Sequence, residues 1–218
     1  MRPAQIAAGV LTWSGFAGVL IGVGELVVHS SALTAMDHNI TTFVVTHRTP
    51  ALNSAMRGLT WVGSWVALLV TAAVTAILSY RQRVPVIATV LVIVAWAGEL
   101  GAVTLAKTVV GRQRPPADLW LVSAHGQSFP SGHTANAFVT CTAVALLVSG
   151  LVRTRPARLA TWTVAVLLMG AVGFSRVELG VHWTTDVAAS ALFVTGWLLV
   201  VRRWLHQHVR EAVSPAES

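Results

Sequence analysis

Within the twelve positions of SRVELGVHWTTD, residues 175 to 186, the chain places Ser175, Arg176, Glu178, His182 and Asp186. Elsewhere it is sparing with such groups, since only 11% of its 218 residues are charged and 55% are hydrophobic. Polar groups set between apolar runs are expensive, which marks this stretch as a working site. His182 and Asp186 are four apart, so on a helix they share a face and the carboxylate accepts a proton from one imidazole nitrogen. That fixes the tautomer and leaves the other nitrogen with the free electron pair a nucleophile needs.

Two further clusters extend the site. KTVVGRQRP, residues 107 to 115, supplies Lys107 and Arg114, and with Arg176 these make three permanent positive charges. The planar fork of arginine grips two phosphate oxygens at once, so the trio describes an anion site. PSGH, residues 130 to 133, lies where an apolar run begins. The free N–H groups and positive dipole end of a helix starting there face an anion; Gly132 permits close backbone approach and Ser131 adds a hydroxyl donor. A neutral, oriented imidazole beside three cations is an arrangement for attack on phosphorus. His133 is then available to protonate the leaving oxygen and later to activate water.

Helices that cross a bilayer must position these groups. A mean hydropathy of +0.69 is too apolar for an ordinary soluble domain, and the length suits a single domain. Low-charge runs recur at about 6–28, 58–79, 85–107, 131–151, 159–177 and 183–201, each near the ~20 residues that a spanning helix needs. The expectation is an all-α integral membrane bundle of six transmembrane helices over residues 1–205. A polar cytoplasmic tail follows at 206–218, with fraying expected from Arg202 onward.

The eight prolines fall outside or at the edges of the runs, where a missing N–H is harmless. Trp13, Trp61, Trp96, Trp162, Trp183, Trp204 and Tyr80 lie near run ends, as headgroup-level aromatics should, whereas Trp65 and Trp197 lie deeper and are expected to pack. The segment MDHNITTFVVTHRTP is expected to form a short interfacial helix before Pro50. The first run is too long for a usual signal core and carries Glu25, so it reads as a retained helix. Cys141 stands alone, which excludes an intramolecular disulfide.

Orientation follows from charge. With six spans both termini share a side, and nine of the fifteen Lys and Arg residues fall on it, which places the termini in the cytoplasm and all three polar clusters on the outer face. The net charge of +7 reads as topology plus anion binding; there is no long basic tract of the kind that would bind nucleic acid.

In order and spacing, Lys107 to Pro115, Pro130 to His133 and Ser175 to Asp186 resemble the three signature motifs of the type 2 phosphatidic acid phosphatase (PAP2) superfamily, which includes membrane lipid phosphatases and soluble vanadium haloperoxidases. The match is complete at Lys107, Arg114, Pro115, Pro130, Ser131, Gly132, His133, Ser175, Arg176, His182 and Asp186, and three spaced motifs are far more specific than one. The resemblance covers about residues 35 to 200, because MDHNITTFVVTHRTP and LTWVGS also look like the segment ahead of the family's second helix. It implies a six-helix core and a phosphatase that needs no metal and no cofactor. By that similarity His182 is the nucleophile forming a phosphohistidine, Asp186 its orienting partner and His133 the general acid. Lys107, Arg114, Ser131, Gly132 and Arg176 hold the phosphate.

Other polar residues read more plainly. Glu25 and Glu99 lie in expected spans, with Glu99 structural. Arg112 either adds phosphate affinity or is a loop charge. His29, His38, His47 and His125 read as surface residues, and Glu178 as a local charge without a catalytic role. An outer-face site suits a substrate whose tail stays in the bilayer, so the expected partners are a lipid phosphate and the membrane itself. An isoprenoid diphosphate (undecaprenyl or decaprenyl) comes first, because carrier recycling fits an outward site in a chain of bacterial, high-GC character. Phosphatidylglycerophosphate and phosphatidate are the alternatives. Two other classes would use the same residues: a phosphotransferase with an acceptor other than water, and a phosphate-binding protein without chemistry, the latter disfavoured because binding needs no nucleophile pair.

Overall fold

The computed structural model describes residues 3–213, with side-chain surroundings for 7–204. Over these residues the chain is helical. Helix α1 (Pro3–His29) stops at Ser30, whose hydroxyl accepts the Leu33 N–H at 3.3 Å and starts α2 (Ser31–Thr46). Thr49 caps α3 (Pro50–Leu59), which runs through a 3₁₀ turn (Thr60–Gly63) into α4 (Trp65–Tyr80). Helices α5 (Val86–Val110), α6 (Gly132–Leu151), α7 (Arg155–Glu178) and α8 (Thr184–Val213) complete the order.

Five of these helices are long and apolar enough to cross a membrane by themselves, and α3 with α4 makes a sixth candidate span bent by 45°. The single run expected over 58–79 is therefore broken. Ser64 takes an extended conformation and accepts the Ala67 N–H at 3.2 Å, so it restarts a helix instead of continuing one. The helix expected ahead of Pro50 is a full sixteen residues. At the other end α8 carries on to Val213, so the tail expected to fray is helical over its first part; residues 214–218 lie outside those described.

Small residues dominate where the helices meet. Ala95, Ala102 and Ala106 of α5 close on Ala135 of α6 and Ala189 of α8, around Leu68, Phe129 and Val194. Lipid tails are as apolar as leucine, so helix association in a bilayer draws on close packing, and alanine allows it. The outward faces carry Leu11, Val19, Leu167 and Leu192, each about two-thirds exposed or more, a surface that suits acyl chains. Trp197 packs as expected, its indole N–H donating to the Ala95 carbonyl at 3.0 Å. Trp65 does not: it opens α4 at 65% exposure beside an equally exposed Trp61, an aromatic pair at a helix end.

Hydrogen bonds tie one end of the bundle together. The Leu121 N–H reaches the Leu179 carbonyl at 3.0 Å, and Arg48 donates to the carbonyls of Glu178 and Leu119 at 2.8 and 2.9 Å. Loops 111–131 and 179–183 therefore share that end with the close of α5 and α7 and the start of α6 and α8.

Candidate active site

The turn after α7 sets the position of His182. Gly180 adopts φ +74, and a side chain there would meet the Leu119 carbonyl and the Arg48 guanidinium, so only glycine fits both the conformation and the space. The chain folds back until the N–H groups of Val181 and His182 both donate to the Arg176 carbonyl, each at 3.2 Å. Arg176 and His182 are thereby locked to one another before α8 begins.

Asp186 is the third residue of α8 and reaches back to accept the Trp183 N–H through Oδ2 at 2.9 Å, half of a capping box. Ser128 donates a short hydrogen bond to the same oxygen, and Arg112 donates to Oδ1 at 2.5 Å. Nδ1 of His182 lies 3.4 Å from Oδ2. On the other side of the ring Nε2 is 3.0 Å from Arg114 Nη1, which can only donate. The network thus assigns the proton to Nδ1 and the lone pair to Nε2. The ring is buried, and burial lowers its pKa to about 4; the charges of Arg114 and Lys107 act in the same direction, with Asp186 opposing. At neutral pH His182 is an uncharged imidazole.

The cations are arranged around a loop. Arg114 donates to the carbonyls of His125, Gly126 and Val181 at 2.9, 3.0 and 2.6 Å, and Lys107 to that of Gln127 at 2.7 Å. The fork expected to be free for phosphate is largely engaged in holding the loop. Arg176 donates to Thr60 Oγ1 at 2.6 Å across to the 3₁₀ turn, while its Nε has no partner within the described residues. Four cations, Lys107, Arg112, Arg114 and Arg176, face two carboxylates, Asp37 and Asp186. Two positive charges are left over, the complement of a phosphate dianion.

Ser131 caps α6: its buried hydroxyl oxygen accepts the Thr134 N–H at 3.4 Å and the Thr134 hydroxyl at 2.9 Å and keeps its own hydrogen to donate. The N–H groups of Gly132 and His133 point out of the first turn, and the space beside the Gly132 Cα is open. His133 is half-buried, within reach of the charges of Arg176, Arg114 and Lys107 and of His182, and its ring has no hydrogen-bond partner among the described residues. All eight residues singled out from the sequence gather at this one end of the bundle.

Other participants escaped the sequence reading. Arg112 is neither a loop charge nor a free phosphate ligand: it is buried, with Nη2 2.7 Å from Asp37 and Nη1 2.5 Å from Asp186. Asp37 of α2 also accepts the Thr185 N–H at 2.9 Å and its hydroxyl at 2.5 Å. The only hints were that Arg112 stands inside KTVVGRQRP and that Asp37 stands in MDHNITT. Glu178 is fully buried, with Arg48 donating to its backbone. Glu99 is buried in the bundle, with one carboxyl oxygen lacking a partner among the described residues. Within the described residues no three His, Cys, Asp or Glu side chains converge as metal ligands.

Comparison with known proteins converges on one family. Residues 86–210 match the model of the PAP2 superfamily. The chain is 31% identical over 175 residues to phosphatidylglycerophosphatase B of Bacillus subtilis, an alignment spanning 79% of this chain and 83% of that protein. To the Escherichia coli protein of the same name it is 40% identical over 93 residues, 41% of this chain and 33% of the other. The structure superposes with TM-score 0.73 and 24% identity on the crystal structure of a transmembrane PAP2 type phosphatidylglycerolphosphate phosphatase from Bacillus subtilis, over 95% and 98% of the two chains. On Aquifex aeolicus LpxE the TM-score is 0.59 at 23% identity, over 76% and 93%. Both superpositions report a shared fold.

Proposed function

From the premise that the chain belongs to the PAP2 superfamily of membrane lipid phosphatases, we propose that it hydrolyses phosphatidylglycerophosphate through a phosphohistidine on His182. The isoprenoid diphosphate placed first on the sequence yields to this alternative, because the bacterial relative aligned over most of both chains bears the name of a phosphatidylglycerophosphatase. The observation that carries the mechanism is the His182 ring, held between Asp186 at Nδ1 and Arg114 at Nε2.

The phosphate dianion enters among Lys107, Arg114 and Arg176, with the Ser131 hydroxyl and the N–H groups of Gly132 and His133 completing its shell. Its oxygens compete for Arg114 Nη1, and the freed Nε2 lone pair attacks phosphorus. An N–P bond forms as the P–O bond to glycerol breaks. His133, which takes up a proton as the negative charge of the dianion seats beside it, gives that proton to the departing oxygen, and phosphatidylglycerol leaves. The ring gains positive charge in this step, which the Asp186 carboxylate stabilises. Water then gives a proton to His133 and attacks phosphorus; the N–P bond breaks, its electron pair returns to Nε2, and inorganic phosphate is released. In this reading the chain's own cations meet all of the developing charge and no metal takes part. In this reading the site lies on the outer face of the membrane with both termini cytoplasmic, an orientation that the positive-inside count supports.

Phosphate release by the purified protein, with chelator present, tests the proposal on phosphatidylglycerophosphate, an isoprenoid diphosphate and phosphatidate. The expected result is fastest release from the first, no effect of chelator and none at all from His182→Ala. A faster diphosphate would overturn the substrate, chelator inhibition the metal independence, and residual turnover by His182→Ala the nucleophile.

A further inference from the structure

Asp37 lies on α2, which packs against α1, α7 and α8, and it is fully buried against the start of α8. Its two oxygens accept the backbone N–H and the hydroxyl of Thr185, so a carboxylate from a distant helix caps α8 one residue before Asp186. Arg112 then spans the two carboxylates, Nη2 on Asp37 and Nη1 on Asp186, and also donates to the Thr185 hydroxyl at 2.7 Å. The guanidinium lies over the Trp183 ring, 5.7 Å from its centroid, and the same ring is in contact with His38, again from α2, with centroids 4.6 Å apart. Arg112 is thus held with no freedom to follow a ligand.

We propose that Asp37 is a positioning residue that sets the charge Asp186 presents to His182, acting through Arg112. The inference rests on the reading of His182 as nucleophile. Its basis is the charge of the trio. Arg112 is shared between two carboxylates, so the three groups together keep one negative charge, and that charge abuts the Nδ1 side of His182. Remove the charge of Asp37 and Arg112 compensates Asp186 alone, so the imidazole loses the partner that stabilises it as it becomes cationic. All three groups are buried, so water screens them little. Without Asp37 the arginine would drain the catalytic carboxylate instead of orienting it.

The groups facing His182 are Asp186 on α8, Arg114 and Arg112 on the loop after α5, Lys107 on α5, His133 on α6 and Arg176 on α7, with Asp37 and His38 behind them on α2. Glu178, on α7, has Arg48 as its charged partner.

The test is the pH dependence of kcat/KM for the full chain and its Asp37→Asn, Arg112→Gln and double variants, with phosphohistidine trapped in each. The titration of the substrate is common to all, so differences between variants belong to the enzyme. Asp37→Asn keeps an oxygen for the Thr185 N–H but loses the charge; its acid limb is expected to move down by on the order of one pH unit. Its kcat is expected to fall about ten- to a hundredfold, the scale of lost outer-sphere partners, with KM changed much less. Arg112→Gln moves the limb up, and the double variant returns it toward wild type. Arg112→Lys, which keeps the charge, leaves the limb in place and serves if the glutamine variant does not fold. A limb that stays fixed in Asp37→Asn, or that moves the same way in Asp37→Asn and Arg112→Gln, reduces Asp37 to a strut and overturns the inference while trapped phosphohistidine upholds the nucleophile. A wild-type enzyme with no trapped phosphohistidine on His182 overturns both.

Discussion

Replacing Gly63 by alanine asks whether the bend between α3 and α4 holds the catalytic end of α6. Gly63 closes the 3₁₀ turn, and a Cβ built there would collide with the backbone carbonyl of His133 and lie 2.8 Å from Val172 Cγ1. Carbon atoms in ordinary contact keep about 3.5 Å or more, so relief requires a movement of roughly 0.7 Å on the valine side and more against the carbonyl. Val172 is fully buried and cannot swing away. The compliant element is the first turn of α6, which carries Ser131, Gly132 and His133. Overpacking of this kind costs about 1–3 kcal/mol of stability, and a displacement of about 1 Å at a catalytic group costs about a hundredfold in kcat. Initial rates of phosphate release on vesicle-borne phosphatidylglycerophosphate, with a thermal unfolding midpoint on the same preparations, measure both. Gly58→Ala, near the end of α3, is the control: nothing lies within 4 Å of its Cβ, so the added methyl requires no movement of a neighbour. A Gly63→Ala enzyme with wild-type kcat and an unchanged midpoint would refute the argument that this close approach sets the site.

Three further outcomes are expected. Arg114→Lys removes a fork that holds His125, Gly126, Val181 and His182 at once, so kcat/KM should drop by about 10²–10³ while the purified protein stays monodisperse; an unchanged kcat/KM would make Arg114 a topology charge. The kcat/KM profile should lose activity as pH falls through about 4, where His182 takes up a proton and its lone pair is lost. With substrate bound, the added negative charge raises that pKa, so the corresponding limb in kcat should lie higher; coincident limbs would contradict a dianion seated against the ring. Thr60→Val leaves the Arg176 guanidinium without its acceptor, and KM is expected to rise about tenfold, the scale of one unpaired buried group; an unchanged KM would separate Arg176 from the phosphate.

The residues of chemical interest were legible because local spacing carries them. His182 and Asp186 share a helix face by being four apart, Ser131 and Gly132 announce a helix start after Pro130, and the low-charge runs match the length of a bilayer crossing. Those relations involve neighbours along the chain, and helix geometry alone determines them. The failures are of a different kind. The run over 58–79 looked continuous because Thr60–Gly63 is apolar enough to belong to a span, and nothing in its composition records that Gly63 must lie against the His133 backbone. Trp65 looked deep because depth was counted from the start of that unbroken run.

The electrostatics of the site came only from the tertiary structure. Composition determined that this chain would live in a membrane, and motif spacing singled out the side chains that gather at one end of the bundle. Neither could show that Arg112 would be shared between Asp37 and Asp186, because those carboxylates lie far from it in the chain, on opposite sides in sequence, and come together only when α2 packs across the start of α8. A charge has the same identity wherever it falls in a sequence. Whether it binds the ligand, compensates a carboxylate or orients a loop depends on which opposite charge is nearest and how much water lies between, and only packing decides both.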